Sequence, residues 1–167
     1  MPTTLARQQK RWNEIVRDPT LRDLSYKIET NERGQLLLSP RKNEHSFTQT
    51  TLLDLLKEHA PAGRRAPEFA IATPKGTKSP DVVWMSDDRW REMEETGDPT
   101  TIAPEICVEV MSPANTEDEM SEKATLYFEA GAEEVWIVEE DGHIQFLGQD
   151  GDELDQSRIA PDYPSHV

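Results

Sequence analysis

Apolar residues recur at helical spacing in three stretches of the chain. The predicted helices cover residues 4–17, 46–59 and 117–132. Val16 is expected on the apolar side of the first helix, and Phe47 on that of the second. Asn115 or Thr116 is the expected N-cap of the third helix, and Gly131 its C-cap.

Shorter apolar runs predict β-strands. YKIETNERGQLLLSP and EEVWIVEEDGHIQFLG each predict a hairpin, because a polar turn containing glycine separates two strand-like runs. Three more strands are expected at residues 68–73, 81–86 and 105–111. Residues 74–80 are predicted to be a turn-rich connection, and residues 157–160 to have weak strand character.

This order of elements predicts a mixed α/β (α+β) fold, in which one central sheet has helices on both sides. Residues 1–24 are expected to form an N-terminal helical extension and residues 25–167 one domain, since 167 residues are typical of a single domain. The polar stretch 87–103 is predicted to be an exposed insertion, or a short helix followed by a loop.

The charge balance limits the functions open to the chain. The formal net charge of −15 repels phosphate backbones and argues against a broad nucleic-acid-binding face, but not against a local site in which metal neutralises carboxylates. Cys107 is the single cysteine, which excludes an internal disulfide bond and fits a reducing cytoplasm. No apolar run approaches the roughly 20 residues of a membrane span, and the N-terminus lacks the apolar segment of a secretory signal.

One acidic residue stands inside an apolar run. Glu109 lies between Val108 and Val110 in the segment PEICVEVMSP, and both faces of this predicted strand are otherwise apolar, so the strand is expected to be central. An isolated carboxylate there is costly unless a cation or several donors meet it. Glu109 is therefore either a site residue or a strand-end glutamate paired with an arginine.

Two further residues become site candidates if the fold brings them to Glu109. Asp81 opens the strand DVVWM, and on its own it is explained as a turn or strand-start aspartate. Beside Glu109 it would complete a pair of acidic oxygen ligands suited to Mg²⁺ or Mn²⁺. Lys123 borders the apolar stripe of its helix and can reach toward Glu109; otherwise it covers apolar surface or pairs with Glu119.

Glu44 and His45 lie just before or at the start of the second predicted helix. Glu44 can complement the positive end of the helix dipole, which explains it without a catalytic role. A metal or substrate role for either residue requires this helix end to face Asp81 and Glu109.

Several segments together resemble a known family. SPDVVWM, PEICVEVMSPANT and EKATLYFEAGAEEVWIVEEDG are similar to the Uma family of restriction-endonuclease-like proteins, which belongs to the PD-(D/E)XK nuclease superfamily. KIETNERGQLLLSP and NEHSFTQTTLLDLL resemble its N-terminal region, so the resemblance covers residues 25–165. It implies a restriction-endonuclease-like fold, with a mixed four-stranded core sheet, flanking helices and added hairpins. It also implies a Mg²⁺- or Mn²⁺-dependent endonuclease acting on DNA.

The resemblance also assigns roles to the candidate residues. Asp81 and Glu109 would be metal ligands, and the backbone carbonyl of Val110 would complete the shell. The lysine position of the E-x-K half-motif is Met111 in this chain. Similar family members carry the lysine on the following helix, which matches Lys123.

Glu44 or His45 would correspond to the helix residue that supplements such a site. The alternative to a nuclease is a protein of nuclease fold that no longer cuts and acts as a binding or assembly module. A further alternative is RNA as the substrate. A homodimer would suit a protein that cuts both DNA strands, by analogy alone.

The placement of the basic residues discriminates between cutting and binding. The enzyme hypothesis gains if they surround Asp81 and Glu109, and it weakens if they are scattered. The residues concerned are Lys75, Lys78, Arg64, Arg65, Arg89 and Arg91.

Overall fold

The computed structural model describes residues 3–167. The helices in this range are α1 (Thr4–Arg17), α2 (Asn43–His59), α3 (Asp87–Thr96) and α4 (Glu117–Glu129). The strands are β1 (Tyr26–Thr30), β2 (Leu36–Pro40), β3 (Arg64–Pro67), β4 (Ile71–Thr73), β5 (Gly76–Lys78), β6 (Val82–Met85), β7 (Ile106–Val110), β8 (Glu134–Val138), β9 (Ile144–Gly148) and β10 (Glu153–Leu154). No helix within residues 3–167 has the length and apolar character needed to cross a membrane.

The main sheet is mixed and has six strands in the order β10-β9-β8-β7-β6-β3. Only the β7–β8 pair is parallel within it. The hairpins β1–β2 and β4–β5 form separate two-stranded sheets. The predicted mixed α/β fold is therefore confirmed, with a wider sheet than a four-stranded core and with two added hairpins.

Strand β7 lies between β6 and β8, as the apolar character of both its faces predicts. Its residues alternate between two cores, because successive side chains of a strand point to opposite faces. Ile106 and Val108 pack in the core that contains Leu52 of α2. Cys107 packs in the opposite core, which contains Tyr127 of α4. Glu109 shares the face of Cys107 and so points toward α4.

The prediction of one strand over 68–73 is wrong. Glu68 has a φ of 48° and breaks the extended backbone, so β3 ends before it and β4 begins after it. The following segment, predicted to be only a connection, contains β5, which pairs with β4. Arg64 and Arg65 lie in β3 and pair with β6 at the edge of the main sheet.

Two predicted apolar contacts are also wrong. Phe47 is 73% exposed, because the buried residues of α2 are Gln49, Leu52 and Leu56, and at 100° per residue Phe47 points to the opposite side. Val16 is 67% exposed at the edge of the buried side of α1.

The C-terminal segment is held by hydrogen bonds instead of by the weak strand predicted at 157–160. Ser157 donates a hydrogen bond to Glu134 Oε2 at 2.7 Å, and the backbone N–H of Arg158 donates to Glu134 Oε1 at 2.6 Å. These contacts turn the chain, so Ala160 is buried without strand pairing. The strand of this region is β10, which precedes it.

Helix α1 is tied to the rest of the chain by side-chain hydrogen bonds. Gln9 Nε2 donates to the carbonyl oxygens of Thr96 and Pro99 at 2.8 and 2.7 Å. Arg11 Nε donates to the carbonyl of Gly34 at 2.7 Å. The division into an extension over 1–24 and a domain over 25–167 stays a prediction.

Gly76 fixes the β4–β5 hairpin against β1. Its φ is 110°, and a Cβ atom at this position would lie 2.0 Å from the carbonyl oxygen of Thr30. We therefore expect Gly76→Ala to lower the free energy of unfolding by at least about 2 kcal/mol, measured by urea denaturation. Gly151→Ala is the matched control, because Gly151 also has a positive φ but has no atom within 4 Å. Equal losses in the two variants would contradict the steric explanation.

Candidate active site

Asp81 and Glu109 come together at the end of the antiparallel pair β6–β7. Val82 of β6 pairs with Val108 of β7. Because the pair is antiparallel, Asp81, which precedes Val82, lies beside Glu109, which follows Val108. Asp81 is 2% exposed and Glu109 is 1% exposed. The condition set by the sequence for a joint site is therefore met in the fold.

A lysine that the sequence did not single out lies between these two carboxylates. Lys27 Nζ of β1 is 3.1 Å from Asp81 Oδ1 and 3.2 Å from Glu109 Oε2. Thr30 of the same strand accepts a hydrogen bond from the N–H of Thr77, which holds β1 against β5. The β1–β2 hairpin thus places a buried ammonium inside the site.

Lys123 reaches the site from α4, which was one of the alternatives left open by the sequence. Its Nζ is 3.6 Å from Glu109 Oε1 and donates a hydrogen bond to Glu29 Oε1 at 2.8 Å. Glu29 also accepts from the N–H of Ser79 at 2.7 Å through its other oxygen. Lys123 therefore bridges Glu109 and a third buried carboxylate, and it does not pair with Glu119.

Two more groups hold the acidic pair in place. The hydroxyl of Tyr127 donates to Glu109 Oε1 at 2.6 Å. The backbone N–H of Val110 donates to Asp81 Oδ2 at 2.8 Å. Both carboxylates therefore have fixed orientations.

The start of α2 brings His45, but not Glu44, to the site. His45 Nε2 lies 3.3 Å from Asp81 Oδ1, whereas the side chain of Glu44 is exposed. Arg41 comes from the segment before α2; its Nη2 is 3.4 Å from Asp81 Oδ1, and it also forms an ion pair with Glu68. Among the described residues, Arg41 Nε is a buried nitrogen atom without a hydrogen-bond partner.

The two central carboxyl groups have pKa values displaced in opposite directions. Burial opposes ionisation of Asp81, but the Lys27 ammonium and the hydrogen bonds from His45 and from the N–H of Val110 outweigh it and hold the pKa of Asp81 well below its usual range. Burial raises the pKa of Glu109, and Lys123 and Lys27 offset this only in part. Such a divergence within one pair of acids is typical of acid–base and metal sites.

The pKa of Lys27 reflects its three acidic neighbours. Burial alone lowers the pKa of an ammonium, but Glu109, Asp81 and Glu29 outweigh burial and hold the pKa of Lys27 above its usual range. Lys27 is therefore a permanent positive charge at the pH values at which proteins are studied.

A cavity of about 450 Å³ opens beside the cluster, between the β1–β2 hairpin and α4. Glu29 and Lys123 line it, together with Lys75 and Lys78. Lys78 Nζ donates to the carbonyl of Thr30 at 2.8 Å and is buried there. The cavity therefore borders the cluster on the side of Glu29 and Lys123.

The other basic residues considered in the sequence are scattered. Arg89 donates to the carbonyl oxygens of Ala103 and Gly131, and Arg91 pairs with Asp88. Arg64 lies over the ring of Trp90, 5.3 Å from its centroid. The positive charges around Asp81 and Glu109 come instead from Lys27, Arg41 and Lys123. By the criterion set from the sequence, Lys75 and Lys78 beside the cluster favour the hypothesis of cleavage, whereas the scattered arginines weaken it.

Comparison with known proteins supports the resemblance noted in the sequence. The model of the Uma2 family, described as "Putative restriction endonuclease", matches residues 12–163. The chain belongs to the Uma2 family. No curated protein matches it.

A solved structure shares the fold of this Uma2 protein. It is the crystal structure of "a putative nuclease belonging to DUF820" from Anabaena variabilis ATCC 29413, with 17% sequence identity and a TM-score of 0.63. The match covers 92% of this chain and 83% of that chain. At this identity the likeness establishes the fold, and the family description establishes a nuclease-like protein.

The Uma2 site offers oxygen ligands of the kind that a hard divalent cation prefers. Asp81 and Glu109 supply carboxylate oxygens, and such ions commonly use one or two carboxylates and retain several waters. Within residues 3–167, no group of three or more His, Cys, Asp or Glu side chains is arranged to hold a metal ion. The two carboxylates fit Mg²⁺ or Mn²⁺ in chemistry if water molecules supply the other ligands and the Lys27 ammonium leaves the position between Asp81 and Glu109.

Sequence reasoning missed four members of the cluster, which are Lys27, Glu29, Arg41 and Tyr127. The ring of Tyr127 is buried among apolar residues of α4, a position that does not by itself indicate a polar role. Lys27 and Glu29 alternate within YKIET, so strand periodicity places both on one face. Two opposite charges on one face of a short strand were the signal available in the sequence.

We expect Tyr127→Phe to lower the free energy of unfolding by about 1–3 kcal/mol, because Glu109 loses a buried hydrogen bond while the ring remains in place. Urea denaturation measures this loss. Tyr26→Phe is the control, since the side chain of Tyr26 is exposed. A loss no larger than that of the control would mean that the hydroxyl of Tyr127 does not stabilise the site.

Proposed function

We propose that this Uma2 protein is a Mg²⁺- or Mn²⁺-dependent endodeoxyribonuclease that hydrolyses phosphodiester bonds of DNA. The observation that carries the proposal is the meeting of Asp81 and Glu109 in a buried site, with Lys123 3.6 Å from Glu109. Two acids from neighbouring strands and one lysine are the chemical groups needed for metal-assisted hydrolysis.

Asp81 and Glu109 would hold the metal ion, with the carbonyl of Val110 as a further ligand. When bound, the ion would lower the pKa of a water molecule and stabilise charge on the phosphate. Tyr127 orients Glu109, and the N–H of Val110 orients Asp81, which keeps both carboxylates directed into the site.

Three side chains of the chain are suited to the substrate. Lys123 is placed to orient the attacking nucleophile or to offset developing negative charge. Arg41 Nε, a buried nitrogen atom without a partner, is suited to bind a phosphate oxygen, since a buried polar atom gains most from a partner. His45 lies beside it, with Nε2 3.3 Å from the same Asp81 oxygen that Arg41 approaches. Glu44 is exposed, so only His45 of that pair has a role in the proposed site.

The test has two steps. Calorimetric titration of MnCl₂ into the full chain is expected to show one-site binding, which Asp81→Ala abolishes in a folded variant. Conversion of supercoiled plasmid DNA to nicked and linear forms is then expected in Mn²⁺ and not in EDTA. Cleavage of single-stranded RNA instead of DNA would correct the substrate class. Absence of Mn²⁺ binding by the natural chain would overturn metal-dependent hydrolysis.

A second function is favoured by two particular observations. Lys27 already places a cation between the two acids, and the arginines outside the site are scattered on a chain with a net charge of −15. Both suit a protein of nuclease fold that acts as a binding or assembly module. For this function, the natural chain would not bind Mn²⁺ and would retain the same fold in EDTA. A homodimer and a cytoplasmic location remain expectations for either function.

A further inference from the structure

The cation between Asp81 and Glu109 belongs to the chain itself. Lys27 Nζ is 3.1 Å from an oxygen of Asp81 and 3.2 Å from an oxygen of Glu109, and the nearer oxygen of Glu29 is 4.0 Å away. The lysine is 8% exposed. Its ammonium therefore stands where a divalent ion shared by Asp81 and Glu109 has to bind.

The charges of the cluster are balanced while Lys27 is present. The carboxylates are Asp81, Glu109 and Glu29, and the fixed cations are Lys27, Arg41 and Lys123. A divalent ion bound by Asp81 and Glu109 would lie within a few ångströms of the Lys27 ammonium. In this buried site the low dielectric makes the repulsion between the ion and the ammonium strong. The ion and the Lys27 ammonium therefore exclude each other.

A cavity next to Lys27 can accommodate the displaced ammonium. Ser39, the cross-strand partner of Lys27, and Glu29 both line the cavity of about 450 Å³. Glu32, Glu119 and Glu122 also line it, so four carboxylates face three lysines, Lys75, Lys78 and Lys123, and the lining keeps a net negative charge. Because the four-carbon stem of lysine is flexible, rotation of the side chain can carry Nζ into this cavity without unpairing β1 from β2.

We propose that Lys27 is an internal counter-cation that competes with the divalent ion for Asp81 and Glu109, so that metal binds by exchange and expels the lysine toward the cavity. This inference rests on the proposed metal site and deepens it. Exchange makes the metal affinity of the natural chain lower than that of the carboxylate pair alone. It also couples metal binding to the exposure of Lys27.

The test is calorimetric titration of MnCl₂ into the natural chain and into Lys27→Met. Methionine keeps a long apolar stem and removes the charge. We expect Lys27→Met to bind Mn²⁺ at least about tenfold more tightly, because one buried positive charge no longer opposes the ion. Lys57→Met is the matched control, since Lys57 is an exposed lysine of α2, and its affinity is expected to equal that of the natural chain.

The outcomes separate this inference from the proposed function. If the natural chain binds Mn²⁺ and Lys27→Met binds no more tightly, competition is overturned and the metal site stands. If only Lys27→Met binds Mn²⁺, competition is supported, and metal-dependent hydrolysis is removed as the function of the natural chain. If neither binds, both proposals are overturned.

A measurement on the natural chain covers the case in which Lys27→Met does not fold. Amine-reactive ester labelling followed by mass spectrometry reports the exposure of each lysine. With Mn²⁺ bound, the labelling rate of Lys27 is expected to rise several-fold while that of Lys57 stays constant. An unchanged rate at Lys27 in a chain that has bound Mn²⁺ would overturn the exchange.

Discussion

Glu109→Gln is expected to reduce the metal-dependent cleavage of plasmid DNA at least about 100-fold, the scale of losing one charged group that acts on the transition state. Glutamine keeps the shape of Glu109 and an acceptor for the Tyr127 hydroxyl, but it withdraws one of the two anionic ligands. The same variant is expected to lose Mn²⁺ binding in calorimetry. Cleavage is measured as initial rates of plasmid nicking.

Two further variants serve as a comparison and a control for Glu109→Gln. Lys123→Met is expected to lower the cleavage rate while Mn²⁺ still binds, because Lys123 approaches Glu109 from α4 without lying between the acids. Glu129→Gln removes an exposed carboxylate near the end of the same helix and is expected to leave the rate unchanged. Equal activity in Glu109→Gln and the natural chain would show that cleavage does not use this site, or comes from a contaminant.

Glu134→Ala is expected to lower the free energy of unfolding by about 3–5 kcal/mol, because it leaves several buried donors without an acceptor. Glu134 is 2% exposed and lies at the start of β8. It accepts hydrogen bonds from Trp136 Nε1 at 3.0 Å, from the Ser157 hydroxyl and from the N–H of Arg158. The segment keeps other attachments, such as the bond from the N–H of Ile144 to the carbonyl of Ser165, so the loss is expected to be local.

Thermal unfolding followed by circular dichroism measures the effect of Glu134→Ala. For a domain of this size the loss corresponds to a decrease in Tm of roughly 6–20 °C. Glu133→Ala is the control, because the neighbouring Glu133 is exposed. Similar decreases in Tm in both variants would mean that the hydrogen bonds accepted by Glu134 do not stabilise the fold.

The partners of Glu109 decide between the two explanations that the sequence offered for this acidic residue in an apolar strand. Glu109 was explained either as a site residue or as a structural glutamate paired with an arginine. In the fold its cationic neighbours are the lysines Lys27 and Lys123, and it accepts hydrogen bonds from Lys27 and from the hydroxyl of Tyr127. The arginine of the cluster, Arg41, contacts Asp81 instead. The prediction that Glu109 is a strand-end glutamate paired with an arginine is therefore wrong.

Periodicity alone determined much of the local structure and part of the site. The alternation in PEICVEVMSP placed Glu109 on the face of β7 that points to α4, and the spacing of α4 placed Lys123 at the border of its buried side. The hydroxyl of Thr116 accepts from the N–H of Glu119, as the capping pattern predicted. These features depend on residues a few positions apart, so the sequence encodes them directly.

Tertiary structure alone decided which charges meet. Lys27 contacts residues 54 and 82 positions away in the chain, and no local pattern specifies such partners. The break at Glu68, which separates β3 from β4, likewise depends on pairing of β3 with β6 and of β4 with β5. Local spacing fixes the face on which a side chain lies, whereas the partner of a buried charge is fixed by long-range packing. The sequence therefore determined the acidic pair as a candidate site, and the fold decided that a lysine of the same chain stands between its members.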